Sequence, residues 1–328
     1  MRAVWQETPM ELIDLLDEQT RARVLTGFDE ARERPVTLRA NTLKSSIGEV
    51  CTVLEASGFT YRRVPWYADA LVLNDVRERD IWDLDIYRDG HVYLQSLSSM
   101  LPPLLMGPRP GTDVLDMCAA PGGKTAQIAA LTGNAAHLTA CEMSSPRADK
   151  LVHNLEKLGA ANVNVMRTDA RRLDEFFSFD QILLDAPCTG TGTLRAGDER
   201  AEKRMTRQLL AKVVKSQRAL LDRALTILKP DGTLVYSTCS ILAEENDEQV
   251  RGALKRHRDC EVVPILFEKP SSDAQDGPRP IVLDQATHGP CALPVLPHSN
   301  ALPGTLTIAP SRLFEGFYVA VIRKKPRR

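Results

Sequence analysis

Two cysteines follow the ends of predicted strands and could supply a nucleophile. Cys188 closes the stretch DAPC at residues 185–188, and Cys239 stands in STCS at residues 237–240. A single free cysteine is usually a small buried hydrophobe. Two of them at neighbouring strand ends indicate covalent catalysis instead, which a thiolate performs when its pKa is lowered or a base is near.

A glycine-rich loop joins a predicted strand to a predicted helix. Residues 113–125, DVLDMCAAPGGKT, lead from a short apolar run ending at Asp116 into a helical pattern from Thr125 to Leu131. Glycines let the backbone approach a ligand, and the helix N-terminus presents unpaired N–H groups. The phosphate-binding pattern G-x-x-x-x-G-K-[ST] fails at Cys118, and the dinucleotide pattern G-x-G-x-x-G has no match there. An adenosine-type cofactor such as S-adenosylmethionine therefore suits the loop better than ATP or NAD.

Carboxylates stand at or just after the ends of successive predicted strands: Asp116, Glu142, Asp169 and Asp185. One acidic residue at such a position is commonplace, often as a helix cap, but four along one edge are harder to dismiss. An acidic residue about twenty positions beyond a glycine loop can accept hydrogen bonds from ribose hydroxyls, and Glu142 has this position. Asp169, after the next strand, is placed to meet an adenine amino group.

The elements that would position these residues alternate from Asp113 onward. Predicted strands cover residues 137–141, 162–166, 181–184 and 233–237, and predicted helices cover 147–158, 207–228 and 244–255. Such alternation implies a largely parallel sheet with ligands at the carboxyl ends of its strands. A strand near 262–267 and a final antiparallel strand in GFYVAVIRK, residues 316–324, complete the prediction.

Smaller elements are predicted before the alternating region. Residues 10–33 read as one or two amphipathic helices, and a strand from Val36, a helix capped by Ser45, and strands at 61–64 and 70–73 follow. The predicted domains are a helical segment over 1–35, a small α+β module over 36–90 and a catalytic domain over 91–328 with a long loop or lid at 269–303. The polar residues of the module could grip an RNA backbone or form an ordinary solvated face; they are Arg39, Asn41, Lys44, Arg62 and Arg63.

The composition is that of a globular protein. The 328 residues include 43% hydrophobic and 26% charged residues, and 42 basic against 43 acidic side chains give a formal net charge of -1. Any nucleic-acid affinity must then come from a local patch. Seven scattered cysteines without a CxxC pair fit a reducing compartment and argue against a disulfide framework or a structural zinc site. Because no apolar stretch is long enough for a signal peptide or a membrane span, we expect a cytoplasmic protein.

Three stretches, in this order, resemble motifs of the RsmB/Nop2/Sun family of RNA cytosine-C5 methyltransferases: DMCAAPGGKT at 116–125, LLDAPCTGTG at 183–192 and YSTCS at 236–240. The similarity extends from about Leu38 to GFYVAVIRK. The resemblance implies a Rossmann-like class I S-adenosylmethionine-dependent methyltransferase sheet with helices on both faces, preceded by the small α+β RNA-binding-like module. The cofactor-binding residues implied are Cys118, Ala119, Ala120, Pro121, Gly122, Gly123, Lys124, Glu142, Arg147, Asp169 and Asp185.

The resemblance also assigns different roles to the two cysteines. DNA cytosine methyltransferases use the cysteine of a Pro-Cys pair, which would nominate Cys188, whereas the RNA family uses the Thr-Cys cysteine, here Cys239. The Pro-Cys-Gln and Glu-Asn-Val patterns of the DNA enzymes do not occur. Cys239 is therefore the predicted nucleophile that adds to C6 of cytosine, and Cys188 assists product release. Asp185 is expected to hydrogen-bond the cytosine edge, and Lys124 to organise the pocket.

The expected substrate is RNA with a cytosine that can leave its stack, ribosomal RNA first and transfer RNA second. The expected product is 5-methylcytosine, and the chain is expected to act as a monomer, without a metal and away from membranes. Two alternatives stay open: a catalytically silent RNA-binding ribosome-assembly factor, and a DNA cytosine-C5 methyltransferase.

Overall fold

The structure is a computed structural model that describes residues 11–267, 281–283, 289, 291–298 and 301–326. The chain divides into two compact units. We call them the cysteine unit (residues 1–34, 186–222 and 236–323) and the glycine-loop unit (residues 35–185, 223–235 and 324–328). Among the described residues, no helix is long and apolar enough to cross a membrane.

The strands within the described ranges are β1 (Thr37–Ala40), β2 (Tyr61–Val64), β3 (Tyr67–Leu73), β4 (Val92–Leu94), β5 (Asp113–Asp116), β6 (His137–Cys141), β7 (Val163–Met166), β8 (Phe179–Asp185), β9 (Leu228–Thr238), β10 (Cys260–Val263), β11 (Ile265–Leu266), β12 (Ile281–Val282), β13 (Leu306–Ile308) and β14 (Phe317–Lys324). The helices there are α1 (Glu18–Glu30), α2 (Ile47–Ala56), α3 (Glu78–Trp82), α4 (Asp85–Arg88), α5 (Leu97–Met106), α6 (Gly123–Leu131), α7 (Ser145–Leu158), α8 (Glu199–Arg204), α9 (Arg207–Ile227) and α10 (Asp247–Arg256).

A parallel sheet forms the centre of the glycine-loop unit. Its strands follow the order β8-β5-β6-β7, and Asp116 at the end of β5 is in register with Ala140 of β6 and Leu183 of β8. Buried apolar residues such as Val114 and Ile182 face its core. Because parallel strands end at one edge, the carboxyl ends of β5, β6 and β8 lie together there. The alternating strands and helices predicted from the sequence are confirmed at this sheet.

A second, antiparallel sheet lies in the same unit, with the order β2-β3-β1-β4. The predicted β-α-β-β order is confirmed, but the cap of α2 is Ser46 rather than Ser45. The Ser46 hydroxyl accepts from the N–H of Glu49, whose carboxylate accepts from the N–H of Ser46, a reciprocal pair that fixes the helix start one residue later. Strand β4 completes this sheet just beyond residue 90, and the domain division proposed from the sequence stays a prediction.

The cysteine unit contains α1, α8, α9, α10 and β10 to β14 with the end of β9. The final strand is β14, which pairs in antiparallel fashion with β13. Val24 and Phe28 of α1 pack in a buried cluster with Leu194 and Ile241. The long helix predicted at 207–228 is α9, and β9 begins at Leu228, five residues earlier than predicted, since the chain stays extended through Pro230.

The segment predicted as a loop or lid, residues 269–303, is partly described. It contains a short strand, β12, that pairs in parallel with β11, and the prediction of a long loop or lid stays a prediction. Val295 adds an antiparallel bridge to Ile308. Residues 269–280, 284–288, 290 and 299–300 of the segment lie outside the described residues.

Candidate active site

The glycine-rich loop has two positions where a side chain would not fit. Gly122 has φ +109°, in the left-handed region that favours glycine. A Cβ atom on Gly123 would lie 2.6 Å from the ring of Tyr93. The peptide bond between Ala120 and Pro121 is cis. The two glycines thus give the loop its left-handed turn and let the Tyr93 ring pack against the start of α6, and the predicted approach of a ligand stays a prediction.

Asp116 ties the two ends of this loop together. Its carboxylate accepts hydrogen bonds from the Thr125 hydroxyl at 2.7 Å and from the Cys118 N–H at 3.3 Å. Burial raises the pKa of Asp116 to about 6, although the hydrogen bond from Thr125 acts in the opposite direction. This carboxylate holds the loop and is 3% exposed.

Glu142 and Arg147 brace the loop from the next strand. Glu142 directly follows β6, is 4% exposed, and accepts the Ser144 N–H at 2.8 Å. Arg147 forms an ion pair with Glu142 at 3.2 Å and donates to the carbonyl oxygen of Ala120 at 3.0 Å. Arg147, which the resemblance implies to be a cofactor-binding residue, therefore connects the Glu142 carboxylate to the loop backbone.

Asp169 is paired with an arginine that the sequence analysis did not single out. Both of its carboxylate oxygens accept from the Arg171 guanidinium, at distances of 2.7 to 3.1 Å. These hydrogen bonds lower the pKa of Asp169, with burial opposing them. In the sequence, this ion pair could have been predicted from Arg171, a basic residue two positions after the acidic residue that follows a predicted strand.

The Cys118 thiol lies in the field of three of the predicted carboxylates. Desolvation, followed by the negative charges of Asp116, Asp185 and Glu142, raises the pKa of this thiol well above its ordinary range. Cys118 is consequently a neutral group at physiological pH and not a nucleophile. The three carboxylates stand at the ends of β5, β6 and β8, which the sheet register brings to one edge.

Lys124, in the first turn of α6, forms an ion pair with Asp185. Its Nζ lies 2.7 Å from Asp185 Oδ2 and 2.7 Å from the hydroxyl of Ser99. The side chains are 15% and 29% exposed, so water screens this pair only in part. The two residues that the sequence assigned to the reacting base are thus in direct contact with each other.

Two polar residues of the small module are buried, which contradicts both interpretations made from the sequence, since an RNA-binding face and a solvated face each require exposed side chains. Arg39 and Asn41 are both 0% exposed. Arg39 donates to the Gln95 side chain at 3.0 Å and to the carbonyl oxygen of Gly123 at 3.2 Å. Asn41 donates to the carbonyl oxygen of Leu158 at 2.7 Å. These side chains satisfy backbone carbonyls inside the glycine-loop unit, whereas Lys44 and Arg63 of the same group are exposed.

The two cysteines singled out by the sequence are in contact within the cysteine unit. The Sγ atoms of Cys188 and Cys239 lie 3.1 Å apart, and both cysteines are half-buried and are not joined by a disulfide. The N–H of Ala186 donates to the carbonyl oxygen of Ser237 at 2.8 Å, which aligns the two cysteine-bearing segments. The N–H of Gly192 donates to the carbonyl oxygen of Cys239 at 2.9 Å. Paired thiols of this kind can divide nucleophilic attack and proton transfer between them.

A buried glutamate that the sequence analysis missed lies beside both cysteine segments. Glu245 is 0% exposed. Its Oε1 accepts the Thr189 N–H at 2.8 Å and the Gln217 amide at 3.1 Å, and its Oε2 accepts the hydroxyls of Thr189 and Ser240, each at 2.5 Å. Four donors fill the acceptor sites of an ionised carboxylate. The only signal for it in the sequence is an acidic residue six positions after Cys239.

A family model described as 16S rRNA methyltransferase RsmB/F matches residues 103–323. Ribosomal RNA small subunit methyltransferase F of Shewanella loihica is 38% identical over 219 residues, which cover 65% of this chain and 45% of that protein. The protein of the same name from Vibrio vulnificus is 37% identical over 217 residues, with 65% and 46% covered. The chain spans about half the length of the curated relatives it matches.

Solved structures share the fold. A methyltransferase homolog protein from Pyrococcus horikoshii is 31% identical with a TM-score of 0.72, over 96% of this chain and 93% of that chain. NSun6 from the same organism has a TM-score of 0.74 at 21% identity, over 97% and 98%, which supports the fold alone. The predicted fold class, the family resemblance and the S-adenosyl-L-methionine cofactor are confirmed by these matches.

Proposed function

Because the chain belongs to the 16S rRNA methyltransferase RsmB/F family, we propose that it methylates C5 of a cytosine in RNA, with small-subunit ribosomal RNA as substrate. The observation that carries this proposal is the contact between the Cys188 and Cys239 thiols. Cytosine C5 is a poor nucleophile, so a thiolate must first add to C6. The second thiol, that of Cys188, can then assist the steps that release the product.

Cys239 is the proposed nucleophile. Its sulfur forms a bond to C6, and the electron pair of the C5–C6 double bond becomes available at C5 for the incoming methyl group. Loss of the C5 proton and cleavage of the sulfur–C6 bond then restore the aromatic ring, and Cys188 assists this last step. No metal is needed, and no group of three or more metal-binding side chains is found within the described residues.

Residues of the glycine-loop unit fit an S-adenosyl-L-methionine site. The loop backbone lies at the start of α6, where helix N–H groups are available to a ligand, and the described contacts of Glu142 use two of the roughly four acceptor sites of a carboxylate. Residues 118–124 would hold the cofactor, with Glu142 toward its ribose and Asp169 toward its adenine. When bound, it supplies an electrophilic methyl group.

Asp185 and Lys124 are proposed to recognise the target base. The Lys124 ammonium orients the Asp185 carboxylate, and this carboxylate accepts a hydrogen bond from the amino edge of cytosine. Only Ala186 and Pro187 separate Asp185 from Cys188 in the sequence. The exposed Arg63 is a candidate for an RNA-backbone contact from the small module, whereas the Lys44 ammonium donates to the carbonyl oxygens of Asp89 and Lys157 at 3.0 and 2.6 Å.

The test is methyl transfer from labelled S-adenosyl-L-methionine to small-subunit ribosomal RNA, transfer RNA and duplex DNA in parallel, with the modified nucleoside identified by mass spectrometry. We expect 5-methylcytosine in ribosomal RNA, and none with Cys239→Ala as the matched control. Label in DNA alone would overturn the assignment of the substrate and of the nucleophile. Binding of RNA and cofactor without transfer would instead favour an assembly factor.

A further inference from the structure

We propose that Glu245 is a positioning residue that sets the separation of the Cys188 and Cys239 thiols; its catalytic importance rests on the proposed function of that pair. Glu245 acts through Thr189 and Ser240, the residues that directly follow the two cysteines.

A single oxygen atom connects the two cysteine segments. Glu245 Oε2 accepts the Thr189 hydroxyl and the Ser240 hydroxyl, each at 2.5 Å. The Ser240 hydroxyl also lies 3.0 Å from the hydroxyl of Thr191, further along the Cys188 segment. Any displacement of the carboxylate therefore moves the neighbours of both cysteines together.

The glutamate is itself anchored. Its carbonyl oxygen accepts the Tyr236 hydroxyl at 2.6 Å, and the adjacent Asn246 donates to the carbonyl oxygen of Ser240 at 2.9 Å. Within the described residues, Glu245 has no ion pair with a Lys, Arg or His side chain. A buried carboxylate without a cation depends on its hydrogen-bond donors, so their geometry is strictly constrained.

Gln217 provides the fourth donor and links the carboxylate to the Cys188 segment by a second route. Its side-chain amide donates to the carbonyl oxygen of Pro187 at 3.0 Å and to Glu245 Oε1 at 3.1 Å. The residues before and after Cys188 are thus both connected to the Glu245 carboxylate by hydrogen bonds, Pro187 through Gln217 and Thr189 directly. This arrangement fixes the Cys188 backbone on either side of the thiol.

The variants are Glu245→Ala, which removes the shared acceptor, and Glu245→Gln, which keeps its shape. The glutamine oxygen can still accept the two N–H groups, while its NH2 group donates to hydroxyls that can rotate. Since a misplacement of about 1 Å can cost about 100-fold in rate, we expect kcat to fall about 100-fold in Glu245→Ala and about tenfold in Glu245→Gln. The KM for RNA should change by less than about threefold, because the base-recognition residues are intact. Glu248→Ala and Glu248→Gln, at an exposed position of α10, are the matched controls and should behave as wild type.

A second measurement reports on thiol separation without methyl transfer. Oxidised glutathione takes two electrons from the Cys188 and Cys239 thiols, which release two protons and form a disulfide, while two molecules of reduced glutathione are produced. The equilibrium constant for closure depends on how closely the thiols are held. We expect Glu245→Ala to lower it about tenfold or more relative to wild type and to the Glu248 variants. Ser240→Ala, which removes one of the two hydroxyls, should give a smaller decrease and serves if Glu245→Ala does not fold.

Unchanged disulfide closure and unchanged kcat in folded Glu245 variants would overturn the proposal, even if their melting temperature fell. A lower closure constant in an enzyme whose wild type transfers no methyl groups would support the positioning role and reject the proposed function. The two hypotheses can therefore fail separately.

Discussion

The Sγ atoms of Cys188 and Cys239 lie 3.1 Å apart, although 51 residues separate them in the chain. One follows the end of β8 and the other the end of β9. A disulfide bond requires about 2.05 Å between sulfurs, so these are two thiols at hydrogen-bond distance rather than a disulfide. Two thiols with different tasks in one reaction should respond differently to removal.

Removal of each thiol should arrest the reaction at a different stage. Cys239→Ala should abolish both methyl transfer and the covalent RNA adduct, because no sulfur then adds to C6. Cys188→Ala should accumulate an adduct that resolves slowly, visible as a band of retarded mobility in a denaturing gel. Cys51→Ala, at a buried cysteine of the small module, is the control and should retain activity. Adduct loss in Cys188→Ala with retention in Cys239→Ala would reverse the two roles.

Disruption of the Lys124–Asp185 ion pair should impair the chemical step. Lys124→Met leaves the Asp185 carboxylate without its 2.7 Å partner, and we expect kcat/KM to fall about 100-fold, comparable to the loss of one preorganised donor. Lys150→Met, at an exposed position of α7, is the control. The double variant with Asp185→Asn should be no worse than the more severe single variant, because the residues act as a unit. Additive losses would show that they act independently.

Replacement of Arg39 should weaken cofactor binding and leave RNA binding unchanged. Arg39→Met removes the hydrogen bond to the carbonyl oxygen of Gly123, so the affinity for S-adenosylhomocysteine should fall about tenfold, the effect of one charge-assisted hydrogen bond. The salt dependence of RNA binding should stay unchanged. Arg63→Met, at an exposed site, should show the opposite pattern, with a slope in log[salt] reduced by about 0.7 to 0.9 if it contacts a phosphate. A reduced slope in Arg39→Met would restore the RNA-contact interpretation for Arg39.

Ionisation of the buried Asp116 carboxyl group should destabilise the folded state as pH rises. Its folded-state pKa is raised from 3.8 to about 6 by burial, so the folded protein retains a proton that the unfolded chain has lost. The contribution of Asp116 to stability is therefore complete below pH 3.8 and is lost as pH rises through 6, by roughly 3 kcal/mol. Urea unfolding of wild type and Asp116→Asn between pH 4 and pH 7 measures this, because the other carboxylates cancel in the difference. We expect wild type to lose roughly 2 kcal/mol relative to the variant over this pH range, and a constant difference would contradict the shifted pKa.

Local patterns in the sequence predicted most elements and the residues of the site. Apolar runs, the glycines after Asp116 and the carboxylates at strand ends depend on interactions between near neighbours, so the strand–loop–helix at 113–131 and β6 could be placed from the sequence. The errors at this level were small, such as the cap at Ser46. They arose because adjacent serines offer the same local signal.

Only the tertiary structure decided which polar side chains meet. Arg39 and Asn41 look like surface residues in the sequence, yet both are buried because their donors satisfy the carbonyl groups of Gly123 and Leu158, which are 84 and 117 residues away. Glu245 carries no motif of its own, and its role depends on hydroxyls from two separate segments. The sequence by itself determined the strand ends that carry the candidate site residues, since these follow from local periodicity. The contacts among those ends depend on the register of distant strands, and for that reason only the folded chain could decide them.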